Sequence, residues 1–293
     1  MKKSMLNEVS NRITARYSQM TKTEKKIADR LLAEKGDLYL TSITEFASSC
    51  GVADSTVFRF CRLLGYSGYN EFKLALAKDE GSARHMMKNG VEDDIYSTIT
   101  ADDNVSATGN KLRAMYWAAI NQTLELLSTE QVVRATDLIE QSNRVYCMGE
   151  GGSMVMAMEA WVRFMVVSSK FMAVDNSHLQ AMTAALMTEK DTIWFFSYSG
   201  STREMEDIFT TAKARGAKII VVTRFANSPA SQYADVVLVC GSNERPLQSG
   251  TIVAKIAQLM VIDMVYQEFI RRDSETIEKN RETSAKAVSK FLL

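Results

Sequence analysis

Hydroxyl side chains crowd around one glycine at Ser197-Tyr198-Ser199-Gly200-Ser201-Thr202. The apolar run Trp194-Phe195-Phe196 precedes them, and Arg203-Glu204-Met205-Glu206-Asp207-Ile208-Phe209 follows. The first run reads as a buried strand and the last as the start of a helix. A strand that feeds a Ser/Gly/Thr turn and then a helix N-terminus is suited to an anion. The first backbone N–H groups of a helix have no intrahelical partner, and the helix dipole adds partial positive charge there. The hydroxyls of Ser197, Ser199 and Thr202 can donate to phosphate oxygens. Gly200 lets the backbone approach a ligand with no β-carbon in the way. An ordinary capped strand-to-helix turn has the same outline, so this stretch leaves both readings open.

A second turn of the same kind follows Val145–Met148: Gly149-Glu150-Gly151-Gly152-Ser153. A dinucleotide site competes for it, but Glu150 lies inside the turn and the third glycine of that fingerprint is absent. No clear ribose-binding carboxylate ends the next apolar run either. Asp175 stands there, followed directly by Asn176-Ser177-His178. His178 either meets a ligand or caps a helix. The last apolar run ends in Gly241-Ser242-Asn243-Glu244-Arg245. Two hydroxyl-bearing anion turns, with His178 and Glu244 nearby, fit a phosphorylated polyol better than a dinucleotide.

The elements that must position these residues alternate regularly. Helical spacing predicts long helices over Val105–Leu127 and Thr129–Gln141. Apolar runs follow at Val145–Met148, Phe171–Val174, Ile193–Phe196, Ile219–Val222 and Val236–Val239. Helices are expected between them near Ser153–Val167, Leu179–Thr188, Thr202–Arg215 and Pro229–Tyr233, and then over Gly250–Arg271. Continuously apolar strands separated by helices predict a five-stranded parallel sheet covered on both faces. Ligands of such sheets bind at the carboxyl ends of the strands.

The first eighty residues have another character. They hold 13 lysines and arginines against 10 acidic residues, whereas the whole chain balances 35 against 35. The mild basic surplus points to nucleic acid. Thr21 and Glu24 have capping-box spacing, and Ile27, Leu31 and Leu32 give the helix they open one apolar face. A short helix is expected from Ile43, ending at Gly51. A second runs from an N-cap near Asp54 to Gly65. Ala47 is small where the two would cross, Gly51 lies in the turn, and Val57 faces the first helix. That is the outline of a helix-turn-helix. Ser55, Thr56, Arg59 and Arg62 then fall on the outer face of the second helix, suited to phosphates and base edges in a major groove. Tyr66 to Leu76 supplies a turn and a closing helix that buries aromatics. Between residues 81 and 103 the apolar period fades, apart from a short helix expected around Ile95–Ile99, and the segment reads as a tether. The expected organisation is therefore a helix-turn-helix domain over 1–80, a linker over 81–103 and an α/β domain over 104–293.

With 2 prolines and 14 glycines among 293 residues, long helices and few loops are expected. The four cysteines lie far apart without a CxxC pair, which argues against a zinc site or a disulfide framework. No metal or cofactor is expected. The longest apolar runs are too short to span a bilayer, and no signal-peptide pattern opens the sequence, so a cytoplasmic protein without membrane contact is expected.

Gly149–Ser153 and Ser197–Thr202 together resemble the two phosphate-loop motifs of the sugar isomerase (SIS) domain. The segment Ile43–Phe72, including Leu63-Leu64-Gly65-Tyr66-Ser67-Gly68-Tyr69, resembles the N-terminal helix-turn-helix of the RpiR/MurR family of bacterial regulators. In that order the two cover nearly the whole chain. The resemblance implies an all-α helix-turn-helix domain joined to an α/β/α sandwich, a homodimer or homotetramer bound to double-stranded operator DNA, and a phosphosugar effector that alters operator binding. Carried over by position, Ser153, Ser197, Ser199 and Thr202 would hold the phosphate, with Gly151, Gly152, Gly200 and Ser201 also in the phosphosugar site. His178 would touch the sugar, and Glu244 matches an acidic residue after the fifth strand. One departure is Arg245-Pro246-Leu247-Gln248-Ser249-Gly250-Thr251, where many members carry an arginine and a serine cluster, so the sugar-contacting edge differs. The competing function is an SIS-type isomerase or etherase whose N-terminal helices only oligomerise, with His178 or Glu244 as acid and base. The Arg59/Arg62 face favours a non-enzymatic regulator, because an enzyme has no use for it.

Overall fold

The computed structural model describes residues 8–33, 38–86, 99–241 and 252–291. They divide into two compact units, one ending within residues 1–98 and one starting at Ile99.

The first unit is helical: α1 (Glu8–Arg16), α2 (Lys22–Ala33), α3 (Ile43–Cys50), α4 (Asp54–Leu63) and α5 (Tyr69–Met86). Thr21 and Glu24 open α2 with reciprocal bonds: Thr21 N–H donates to Glu24 Oε2 at 2.7 Å, and Glu24 N–H to Thr21 Oγ1 at 3.3 Å. Ser42 and Glu45 form a capping box at α3. Gly51 ends α3 in the left-handed region (φ 64°), and its N–H returns to the carbonyls of Ala47 and Ser48. A residue with a β-carbon is disfavoured there. Ala47, Val57, Phe60, Cys61 and Phe72 are buried in one core, with Phe72 edge-on to both Phe60 and Tyr66. The expected N-cap at Asp54 needs correction. Ala53 holds that position without a side-chain bond, and Asp54 is the first helical residue. Its Oδ2 instead accepts from Thr44 Oγ1 at 2.6 Å, tying α4 to α3. Helix α5 runs on to Met86; residues 87–98, with all but Ile99 of the expected Ile95–Ile99 helix, lie outside the described residues.

The second unit begins with α6 (Val105–Leu126) and α7 (Thr129–Gln141), capped by Asn104 and Ser128. Then β1 (Arg144–Gly149), α8 (Gly152–Met165), β2 (Phe171–Val174), α9 (Ser177–Leu186), β3 (Asp191–Phe196), α10 (Met205–Ala214), β4 (Lys218–Thr223) and β5 (Val236–Val239) alternate. A single 3₁₀ turn, Ala230–Gln232, stands in the last crossover. Helices α11 (Ile252–Arg272) and α12 (Ser274–Ser289) close the chain. The sheet is parallel, in the order β2-β1-β3-β4-β5. One face, with Trp194 and Phe196, packs under α6, α7, α8 and α11; the other, with Ile193 and Phe195, packs under α9 and α10. All six residues of β3 are buried, so its sequence shows no alternation. Phe164 of α8 anchors the larger core through edge contacts with Trp194 and Tyr266, at 5.4 and 5.2 Å between ring centroids.

Helix α10 starts at Met205, three residues later than expected, because Thr202 is held back in the loop by a hydroxyl bond to Ser197. Helix α12 has no counterpart in the sequence reading. Its one buried apolar residue is Ile277, and polar bonds such as Asn280 Nδ2 to the Val167 carbonyl (2.9 Å) dock it. No helix among the described residues is long and apolar enough to cross a membrane.

Candidate functional site

Strand order reverses between β1 and β3. From β1 the chain moves outward to β2, then returns to β1's other side as β3. A crevice at the carboxyl ends of two such strands is where open α/β sheets bind ligands. Gly149 and Phe196 are register partners at those ends, so both hydroxyl loops leave the sheet side by side.

The first loop is shaped by its glycines. A β-carbon on Gly149 would stand 2.9 Å from the Phe196 carbonyl oxygen and 3.1 Å from the Ser153 backbone. Gly151 takes a positive φ of 53° and caps α8 with no side-chain bond. Ser153 N–H donates to the Glu150 carbonyl at 3.0 Å, which puts Ser153 in the first turn of α8, half-buried. The second loop is held by its own hydroxyls. Ser197, 2% exposed, shares a 3.0 Å hydrogen bond with Thr202 Oγ1 and accepts from Gly200 N–H at 3.2 Å. Ser199 Oγ accepts from Ser201 N–H at 3.3 Å. Gly200 has φ 61°, and a β-carbon there would stand 2.3 Å from Ser228 Oγ. Outer bonds fix the loop further: the Tyr198 carbonyl accepts from Thr223 Oγ1 (3.1 Å), and the Gly200 carbonyl from Ala230 N–H (2.9 Å). Ser199, Ser201 and Thr202 stay half-buried at the crest. Helix α10 opens from Glu204 with no side-chain cap. Two helix N-termini without side-chain caps thus stand beside glycine turns and hydroxyls, α8 after Gly151 and α10 after Glu204.

His178 lies exposed in the first turn of α9, which follows β2, the strand beside β1. The helix cap belongs to Asn176, whose Oδ1 accepts from the N–H groups of His178 and Leu179. The His178 ring is therefore not used as a cap. Glu244 lies outside the described residues. Sequence reasoning missed Gln180. It is fully buried, and its Nε2 donates to the carbonyls of Gly149 (3.0 Å) and Val174 (2.9 Å), clamping the ends of β1 and β2. Its only sequence signal is a polar residue among the apolar positions of α9. Glu150 is half-buried with a buried Oε1 that has no hydrogen-bond partner among the described residues, and burial, reinforced by the Glu204 carboxylate, raises it above the usual carboxylate range.

In the helical unit, Val57, Phe60 and Cys61 take the buried side of α4, while Ser55, Arg59 and Arg62 are exposed and Thr56 is half-exposed. Arg12 donates to the Leu64 carbonyl at 3.0 Å, closing the C-terminal end of that helix.

Comparison with known proteins agrees with both halves. The model of the rpiR-family helix-turn-helix domain matches residues 7–82, and that of the SIS domain matches residues 138–267. A protein of Haemophilus influenzae named as an HTH-type transcriptional regulator is 30% identical, covering 96% of each chain. One from Caldanaerobacter subterraneus, similarly named, is 28% identical over 93% of this chain and 94% of its own. Among solved structures, the Vibrio vulnificus NanR protein complexed with ManNAc-6P superposes with a TM-score of 0.84 at 22% identity, covering 97% of this chain and 99% of its own. The sugar isomerase domain of an RpiR transcription factor from Sphaerobacter thermophilus gives 0.55 at 18% identity, covering 62% and 98%.

Proposed function

The chain belongs to the RpiR family of helix-turn-helix transcriptional regulators with an SIS domain, and from that premise we propose that its α/β unit is a sensor for a phosphorylated sugar whose binding alters the affinity of α4 for operator DNA. One observation carries the reading: two uncapped helix N-termini, each reached through a glycine turn and supplied with hydroxyls, leave adjacent strands where the strand order reverses. A phosphate dianion suits the positive ends of the two helices and takes the hydroxyls of Ser153, Ser199, Ser201 and Thr202 by charge-assisted bonds. Ser197 holds the cradle in shape, and Gly151, Gly152 and Gly200 let the backbone close on the ligand. His178 and Glu244 belong at the sugar end. The ManNAc-6P bound by Vibrio vulnificus NanR supports the ligand class.

The DNA-contacting residues in this reading are Ser55, Thr56, Arg59 and Arg62. The working form is a homodimer or a dimer of dimers, since one short recognition helix spans too few base pairs for specificity and paired half-sites solve this. Exposed apolar side chains such as Trp117 and Leu124 on α6 and Ile252 and Leu259 on α11 support such an interface. The reading makes the protein a cytoplasmic regulator and not an isomerase.

A thermal-shift screen of the full chain against sugar phosphates and their dephosphorylated forms tests the sensor. A ligand at 100 times its dissociation constant stabilises by about 2.7 kcal/mol, which raises Tm by roughly 5 °C or more. A panel in which phosphorylated and dephosphorylated sugars shift Tm equally, or in which none does, defeats the assignment.

A further inference from the structure

Helix α4 carries one residue that its polar contacts leave out. Ser55, Phe58, Arg59 and Arg62 stand at i, i+3, i+4 and i+7 and so share one stripe, opposite the buried Val57, Phe60 and Cys61. Phe58 is 47% exposed, whereas Phe46, Phe60 and Phe72 of the same unit are at most 1% exposed. Its ring is nevertheless positioned. A β-carbon at Gly68 would come within 3.1 Å of ring Cε2 and 3.7 Å of Cδ2, so one side of the ring lies along the backbone that follows α4. The ring is otherwise open, on a stripe that also carries the exposed Arg59 and Arg62.

An aromatic ring held in place on a stripe that also carries two arginines suits a polyanion that offers an apolar surface. On the major-groove edges of duplex DNA the apolar group is the thymine 5-methyl; the other groups are hydrogen-bond donors and acceptors. We propose that Phe58 is a specificity-determining residue that packs on a thymine 5-methyl group, beside the base pair or phosphate reached by Arg59 or Arg62. The inference rests on α4 being the recognition helix. It adds a requirement that Ser55, Thr56 and the arginines do not impose: a thymine whose methyl group is read.

The test uses the full chain and a duplex enriched by it from a randomised library. Each thymine is replaced in turn by deoxyuridine, which removes only the methyl group and keeps every donor and acceptor. Burying one methyl group corresponds to about a fourfold change in affinity. Wild type should bind the deoxyuridine duplex about fourfold more weakly at one position, or one symmetry-related pair, and equally elsewhere. Phe58→Ala should bind the parent duplex more weakly and lose the discrimination at that position, while Phe58→Leu should restore part of it. A purely structural Phe58 would lower affinity without changing the thymine-to-deoxyuridine ratio. Wild type that ignores every replacement overturns the proposal, as does discrimination that persists in Phe58→Ala. A library that yields no recurring sequence, or an Arg59→Ala variant that binds the enriched duplex like wild type, brings down the recognition-helix reading itself, and Phe58's role falls with it. Arg59 dependence without deoxyuridine sensitivity sinks only the role of Phe58.

Discussion

At Gly200 a missing β-carbon has measurable weight. Its φ of 61° and the 2.3 Å approach to Ser228 Oγ leave no room for a side chain. Gly200→Ala should cost about 1–2 kcal/mol from the left-handed backbone alone, more from the clash, and should abolish effector binding. Denaturant unfolding beside a ligand titration checks both. Ser199→Ala removes one hydroxyl from the crest without disturbing Ser197 and Thr202. Charge-assisted bonds contribute about 1.5–3 kcal/mol, so effector affinity should fall roughly ten- to a hundredfold in calorimetry while Tm without ligand holds. Glu150 gives a pH signature. Its carboxyl is raised by burial and by Glu204, so between the ordinary carboxylate value and the raised one the folded state binds more protons than the unfolded. Stability therefore falls as pH rises through that window. Glu150→Gln should remove this slope and be the more stable form at neutral pH; parallel Tm curves for the two proteins across the acidic range would contradict this. The glycines and hydroxyls were legible because local backbone needs select those residue types. Gln180 was not, because its partners, Gly149 and Val174, are fixed only by the pairing of β1 with β2.

Elements were readable wherever one local signal dominated. Helix α7 occupies Thr129–Gln141, as its spacing predicts, because Ser128 caps it and its apolar stripe is clean. Strands β2 and β5 coincide with their apolar runs. Local signals failed where distant contacts decide: α10 starts late because Thr202 bonds Ser197, and α12 docks through polar side chains onto α8's far end. The same logic predicts how the first unit responds to change. Ser42→Ala removes the N-cap of α3, and helix caps are worth about 1 kcal/mol, so the unit should unfold at lower temperature by calorimetry. Arg59→Ala should weaken operator binding by about 1–3 kcal/mol per base contact and leave effector binding unchanged. Gel retardation at matched protein concentrations checks the loss, and an unchanged melting transition of the helical unit separates it from misfolding.

At the scale of the molecule, the proposed function gives the two units separate tasks, and only a difference in effector affinity between the DNA-bound and free states can couple them. Nothing in the charge balance, 35 basic against 35 acidic residues, distinguishes a regulator from an enzyme. In the proposed reading the distinction lives in the exposed stripe of α4. The most direct measurement is the affinity of the full chain for its enriched duplex, by fluorescence anisotropy, as a sugar phosphate from the thermal screen is titrated in. A phosphate-reading sensor coupled to α4 should change duplex affinity by about fivefold or more, typical of allosteric coupling. The dephosphorylated sugar should need roughly ten- to a hundredfold higher concentration for the same response, and so should the phosphorylated sugar acting on Ser199→Ala. Equal potency of the two sugars on wild type, or an unaltered response in Ser199→Ala, would contradict a phosphate-reading sensor.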